Sequence, residues 1–242
     1  MKIVAKTDVG MVRESNQDSY TTGELPNGVA WAVVCDGMGG AAGGNVASST
    51  AVKVIAEQIT SSFRPGMSAN SIKNMMVSAI NAANISVYDI SCSNSELYGM
   101  GTTVVCAIVM EHTAYIAHAG DSRAYIVSHG ALTQLTRDHS VVQELVEHGK
   151  ITALEAKRYT NKNIIMRAVG VSREILVDFC EQEMKDGDVL LLCTDGLTNF
   201  VESDEMCDLT KDDMFYEFAE RLVDRANKNG CGDNVTVVAV TY

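Results

Sequence analysis

The chain has 242 residues, 46% of them hydrophobic and only two of them proline, enough to bury a sizeable core and too apolar for a disordered polymer. Acidic residues outnumber basic ones 31 to 19, a net charge of −12, which repels phosphate backbones and argues against nucleic acid as a partner. The longest apolar runs, Val104 to Met110, Val189 to Cys193 and Val235 to Val240, are strand-length and far short of the roughly 20 residues of a membrane-spanning helix. The start, Met1 to Ala5, meets Lys6, Thr7 and Asp8 before an apolar stretch of signal length can form. The seven cysteines include no C-x-x-C pair, and Cys35, Cys106 and Cys193 sit inside apolar runs, the usage of reduced, buried thiols in a cytoplasmic protein without a membrane segment. None is followed six positions later by Arg, which excludes a thiol phosphatase that cradles phosphate at that spacing.

In chain order, Lys2 to Lys6 and Val29 to Cys35 read as strands, the second running into the glycine-rich stretch Asp36 to Gly44. Val52, Ile55 and Ile59 mark a helix broken by Phe63-Arg64-Pro65-Gly66, and Ile72, Met75, Met76, Ala79, Ile80, Ala83, Val87 and Ile90 mark a second. After a polar loop the pattern turns to β. Thr102 to Met110, Thr113 to His118, Ser122 to Val127 and Ala131 to Leu135 are predicted as one antiparallel meander. Capping boxes at Ser140 to Gln143 and Thr152 to Glu155 open short helices, in a helical excursion over about 140–165. Ile175 to Met184 and Val189 to Cys193 are predicted to form a hairpin across Lys185 to Asp188, followed by a helix through Phe215, Phe218, Leu222 and Ala226 and a strand from Val235 to Tyr242. Strands arrive in runs without strict alternation with helices, and no linker divides the chain. The expectation is a single α+β domain of packed antiparallel sheets covered by helices.

The informative pattern is an aspartate at the end of a hydrophobic strand, repeated at Asp36, Asp121 and Asp195, with Asp233 just before the last strand. A single Asp-Gly is ordinary turn chemistry. Several carboxylates meeting at one rim repel each other unless cations neutralise them, and hard divalent metals are the natural filling.

Arg13-Glu14-Ser15-Asn16-Gln17-Asp18, Asp36-Gly37-Met38-Gly39-Gly40, Gly99-Met100-Gly101-Thr102-Thr103, Gly120-Asp121-Ser122-Arg123, Leu135-Thr136-Arg137-Asp138-His139-Ser140, Asp195-Gly196-Leu197-Thr198 and Asp233-Asn234-Val235-Thr236 stand in the order found in metal-dependent protein phosphatases of the 2C type. The chain resembles the compact bacterial members over nearly its whole length. The resemblance implies an α-β-β-α sandwich with a small helical flap at about 140–165, forming one catalytic domain over 1–242. It further implies two Mn²⁺ or Mg²⁺ ions at one end: Asp36 bridging both, the Gly37 carbonyl on one, Asp195 and Asp233 on the other. Asp121 with Asp195 matches the position of a third, weaker ion. Asp18 orders water behind the metals and Arg13 grips the phosphate. Oxygen donors without His or Cys select Mg²⁺ or Mn²⁺ over zinc, and two such ions lower the pKa of water so that hydroxide is available near neutral pH. The implied activity is hydrolysis of phosphoserine and phosphothreonine in proteins, by a monomer that opposes a cognate serine/threonine kinase.

Met38 stands where many eukaryotic relatives carry His, which leaves a metal-bound water as first candidate for the general acid and His139 as second. Lys150, Lys157, Arg158, Lys162 and Arg167 give the flap a cationic character, either a solvated charged face or a surface that guides phosphorylated substrate. Two other classes stay open. One is a phosphatase-like fold used as a non-catalytic binding module. The other is a dinucleotide-binding enzyme, because Gly37 to Ala42 satisfies G-x-G-x-x-A after a strand with Glu57 downstream. A Rossmann unit, however, needs a strand where a second helix follows here.

Overall fold

In the computed structural model the described residues are 1–209 and 214–242, with the side chains of Ala41 and Ala42 excepted. In chain order the elements are β1 (Lys2–Asp8), β2 (Asp18–Leu25), β3 (Val29–Met38), α1 (Gly40–Ser62), α2 (Ala69–Ser93), β4 (Gly101–Thr102), β5 (Val104–Met110), β6 (Thr113–Ala119), β7 (Arg123–Ser128) and β8 (Ala131–Gln134). There follow α3 (Val141–Glu147), α4 (Ala153–Ala156), β9 (Asp178–Glu183), β10 (Val189–Cys193), α5 (Asp195–Thr198), α6 (Ser203–Leu209), α7 (Phe218–Lys228) and β11 (Val235–Thr241).

The strands form two sheets. One runs β1-β11-β10-β7-β8 and the other β2-β3-β5-β6-β9, with β4 paired to β3. Every pairing is antiparallel. The central strands are apolar on both sides because both sides are covered, and alternate residues of one strand serve different layers. Leu190 and Leu192 enter the core between the sheets with Val34, Val105, Ile116, Ile126, Val238 and Val240. Leu191 and Cys193 face the other way, against Leu197, Phe218, Leu222 and Val223 of α5 and α7. On the opposite side Trp31, Val33 and Cys35 pack against Ile55 and Ile59 of α1 and Ile72, Met76 and Ile80 of α2. The result is an α-β-β-α sandwich. No described helix is long and apolar enough to cross a membrane, and no disulfide joins the cysteines among the described residues.

Three sequence expectations change. The meander is split, because β5 and β6 pair in one sheet while β7 and β8 belong to the other. The crossover is made at Gly120, whose φ of +115° favours glycine and whose Cβ, if present, would approach Thr103 Cβ to 2.7 Å. Residues 175–193 are likewise not a hairpin: β9 pairs with β6, and β10 lies between β7 and β11. A central place between β7 and β11, with a layer packed on each side of the sheet, buries both faces of β10, which a two-stranded ribbon could not do. At Ser140 only half of the capping box forms. Its hydroxyl accepts from Gln143 N at 3.3 Å, while the Gln143 amide turns to Glu147 Oε1 at 2.8 Å. At Thr152 the reciprocal box with Glu155 is complete. β2 has no counterpart among the sequence expectations, since its polar string DSYTTGEL lies half-buried at a sheet edge.

The dinucleotide reading fails on topology. β3 is followed by two consecutive helices and its sheet partners are antiparallel, so the parallel βαβ unit that would seat a pyrophosphate is absent from the described residues; Ala42 of that fingerprint lies outside the described side chains.

Candidate active site

The strands deliver their aspartates to one end of the sandwich. Asp36 lies near the end of β3 and Asp18 opens β2 as its direct cross-strand partner. Asp195 begins α5 after β10, Asp233 precedes β11 and Asp121 follows the crossover from β6. Asp36, Gly37, Asp121, Asp195 and Asp233 all line a cleft of about 750 Å³, together with Arg13, its one lysine or arginine among the described residues. Met38 and Ile165 also reach it. Asp18 is buried behind this wall, with 7% of its surface exposed.

The backbone around these groups is tightly held. Asp36 N donates to Thr103 Oγ1 at 2.9 Å, and Asp36 O accepts from Thr103 N at 2.9 Å and Thr102 Oγ1 at 2.8 Å. At Gly37 a Cβ would meet Gly44 O at 2.1 Å and Gln17 O at 2.6 Å, so only glycine lets α1 and the β2 entry close over the strand end. The loop between β1 and β2, which carries Arg13, is stitched to the Asp233 strand by Asn234. Its amide donates to Val9 O and Ser15 O at 3.0 and 2.9 Å and accepts from Gln17 N at 2.8 Å. Arg13 Nη2 donates to Asp233 Oδ2 at 2.8 Å, and that contact raises the guanidinium pKa.

Burial pushes the carboxyl pKa values up, and their mutual repulsion adds to it. Asp18 rises to about 7 through burial, opposed by hydrogen bonds from Thr236 Oγ1 (2.7 Å) and Thr194 Oγ1 (2.9 Å) to its Oδ2. Asp121 rises to about 7 through burial and the charge of Asp195. Asp36 is raised well above the carboxylate range, again by burial first and then by Asp18, Asp195, Asp121 and Asp233. Asp195 is raised by burial and Asp233, and shares a hydrogen bond with Asp36. Asp18 Oδ1 is buried without a partner. An orphaned carboxylate oxygen behind several buried, mutually repelling carboxyls is what a place meant for cations presents, and an all-oxygen donor set fits Mg²⁺ or Mn²⁺.

These shifts carry a stability prediction. A carboxyl whose folded pKa is raised binds more protons folded than unfolded between about pH 4 and 7, so stability of the metal-free chain declines as pH rises through that window. Cations bound only by the folded state relieve the repulsion. Added Mn²⁺ should therefore raise Tm more at pH 8 than at pH 5, as read by thermal melts against a chelator control. An equal rise at both would contradict the shifts.

The flap is α3 and α4 with their loops, and an antiparallel bridge between Ser140 and Ile165 closes its neck. Two of its cations are engaged against the body of the protein. Lys157 Nζ bonds Glu202 Oε2, and Lys162 Nζ bonds Asn199 Oδ1 at 3.0 Å, while Asn199 Nδ2 donates to Asp195 Oδ2 at 2.9 Å. Arg167 pairs with Asp178 at 2.7 Å. Arg158 is exposed and has no side-chain hydrogen bond among the described residues. A smaller cavity of about 260 Å³ lies under the flap and shares Asp121, Asn163 and Asp195 with the main cleft.

His139 is displaced as a general-acid candidate. It is 2% exposed, does not line the cleft, and both ring nitrogens are engaged, Nδ1 with Gly120 N and Nε2 beside Asp178. Thr194, Thr236, Thr103 and Asn199 are supporting residues that sequence reasoning did not assign. The first three stand inside or beside the quoted motifs, and nothing in their spacing marks them as partners of Asp18 or Asp36.

A cleft walled by carboxylates and one arginine, at one end of a two-sheet sandwich, defines an enzyme built for divalent cations and an anionic substrate. The protein phosphatase 2C profile matches residues 12–236. The serine/threonine phosphatase stp of Listeria monocytogenes is 37% identical over 236 residues, 97% of this chain and 93% of that protein. Among solved structures, the Streptococcus agalactiae serine/threonine phosphatase superposes with a TM-score of 0.93 at 31% identity, covering 100% of this chain and 99% of that one. The catalytic domain of the serine/threonine protein phosphatase PstP, crystallised in complex with two manganese ions, superposes at 0.85 with 33% identity, covering 98% and 96%. The chain belongs to the protein phosphatase 2C family and is a metal-dependent protein phosphatase.

Proposed function

We propose that this chain acts, as one catalytic unit over 1–242, on phosphoserine and phosphothreonine in proteins, with Asp36, the Gly37 carbonyl, Asp195 and Asp233 holding two Mn²⁺ or Mg²⁺ ions and Asp121 with Asp195 taking a weaker third. The observation that carries the reading is the convergence of these four aspartates on one cleft with Arg13. When bound, the divalent cations supply Lewis-acid charge for the phosphate oxygens and lower the pKa of water.

The chain's own residues do the rest. Asp36, anchored by Thr102 and Thr103, presents its carboxylate from a rigid strand end. Asp18, buried behind the cleft wall with its Oδ2 held by two threonines, keeps Oδ1 for ordering water behind the metal ligands. Arg13 offers a planar fork to two phosphate oxygens. Met38 has no proton to donate, so the leaving alkoxide takes its proton from solvent held in the cleft. Asp233 hydrogen-bonds Arg13 and so aims the phosphate grip at the metal ligands. A non-catalytic module would dispense with some of these groups, and the cleft retains all of them.

Cysteines without a disulfide among the described residues fit a cytoplasmic enzyme, and we read it as a monomer opposing a serine/threonine kinase. The test is release of phosphate from phosphoserine and phosphothreonine peptides with and without Mn²⁺. Activity should vanish in excess chelator and return with Mn²⁺ or Mg²⁺, with little restored by zinc. Full activity in chelator would refute the metal-dependent reading.

A further inference from the structure

Beside the aspartate cleft, across the β6–β7 crossover, lies a second polar cluster. His118 on β6, His139 just before α3, Asp178 at the start of β9 and Arg167 after the flap meet there. The two imidazoles stack with centroids 4.7 Å apart and 7° between planes. His139 Nε2 is 3.1 Å from Asp178 Oδ2, and Arg167 Nη1 is 2.7 Å from Asp178 Oδ1 and 3.1 Å from His139 Nε2.

The hydrogen bonds define where the proton sits. Gly120 N donates to His139 Nδ1 at 3.1 Å, so that nitrogen is an acceptor and the neutral ring carries its proton on Nε2, directed at Asp178. His139 N in turn donates to Gly120 O at 2.9 Å. One residue thus holds both polar main-chain groups of the glycine that precedes Asp121. On its other side His139 O accepts from Met166 N at 2.7 Å, next to Ile165 at the cleft wall. His139 is the joint between the crossover and the flap neck.

His118, His139 and Asp178 also bring three ligand atoms within 4.8 Å of one another, but a cation is a poor occupant. Coordination through Nε2 would move the proton to Nδ1, against Gly120 N–H, and the Arg167 guanidinium already neutralises Asp178.

We propose that His139 is a positioning residue of the phosphatase reaction, and that Asp178, oriented by Arg167, sets its tautomer so that Nδ1 holds Gly120 and with it Asp121 at the cleft. The inference rests on the reading of Asp121 as part of the catalytic rim. Asp178→Asn is the discriminating variant. The guanidinium is donor-only and keeps the amide oxygen, which leaves the amide nitrogen facing Nε2. The ring must then accept there and carry its proton on Nδ1, donor against donor at Gly120, as an isosteric amide does to a triad histidine. Asp178→Ala removes the partner without imposing the wrong tautomer. A merely structural role predicts the opposite order, since alanine loses more contacts than asparagine.

Imidazole ¹⁵N spectra of the metal-free protein should place the His139 proton on Nε2 in the wild type and on Nδ1 in Asp178→Asn. With Mn²⁺ and an aryl phosphate, kcat should fall about tenfold in Asp178→Asn, on the scale of one buried hydrogen bond lost, with KM little changed. It should fall less in Asp178→Ala. Adding Arg167→Leu to Asp178→Asn frees the amide to turn and should restore both the tautomer and kcat. A wild-type proton on Nδ1, or an alanine variant as impaired as the asparagine one, overturns the proposal, and the wild-type spectrum decides even where a variant does not fold. That spectrum needs neither metal nor substrate, so its failure is distinct from failure of the phosphatase reading, which would show as a wild-type protein inactive on phosphopeptides.

Discussion

Asp36→Asn should lower phosphopeptide turnover by more than about a hundredfold, beyond the 10–100-fold typical of losing a residue that only supports a metal ligand. The substitution preserves shape and the backbone bonds to Thr102 and Thr103, so the loss reports charge. Asp36 lies within the field of four other aspartates, and removing its charge leaves any bridged cations without their shared anion. Asp121→Asn should cost less, because Asp121 stands at the crossover, on the side of the cleft toward the flap, and on the proposed reading would hold only the weaker third ion with Asp195. Asp18→Asn should fall between them, within that 10–100-fold range, since its Oδ2 is fixed by Thr194 and Thr236 and an amide nitrogen there would face two hydroxyls that now donate. Steady-state kinetics at saturating Mn²⁺ rank the three, and equal losses at Asp36 and Asp121 would overturn the assignment of the bridging role.

Arg13→Lys should lower kcat/KM on phosphopeptides by about 1–3 kcal/mol of transition-state binding, the scale of hydrogen bonds to charged groups. Lysine keeps the charge and loses the planar fork. Arg13 is half exposed on a loop pinned by Asn234, so the substitution disturbs little packing and the kinetic loss reads the phosphate contact. Arg13→Ala should lose at least as much. Two variants matching wild type would mean that the phosphate is gripped elsewhere.

The flap shows how a residue list changes meaning once it is folded. As sequence, Lys150, Lys157, Arg158, Lys162 and Arg167 are a cationic stretch in an acidic chain. In the structure Lys157 and Lys162 reach Glu202 and Asn199, some 40 residues on, and Arg167 serves Asp178. Lys150 and Arg158, exposed and without a side-chain partner among the described residues, keep the character on which a substrate-docking role depends.

Much of the site was legible because strand-end aspartates and glycine-rich turns are local signals. Asp36, Asp121, Asp195 and Asp233 each announce themselves by an apolar run on one side, and Gly37 by the run of glycines that closes α1 over it. Asp18 and Arg13 carry no such run, and only their place in an ordered set of motifs pointed to them. β2 went unread because an edge strand half-covered by helix can be polar at most positions.

The sequence by itself determined most of the elements, the α+β class, the strand-end carboxylates and the family, since each follows from residue type, short-range spacing and the order of the motifs. Tertiary structure alone decided which sheet each strand joins, because β10 is apolar at nearly every position and carries no alternation to orient it. It alone decided that Thr194 and Thr236, 176 and 218 residues from Asp18, hold its carboxylate, and that His139 faces Gly120 and Asp178 instead of the cleft. These are contacts between segments far apart in the chain, and a hydrogen bond of that kind leaves no period in the sequence because its partner is chosen by how the two sheets stack.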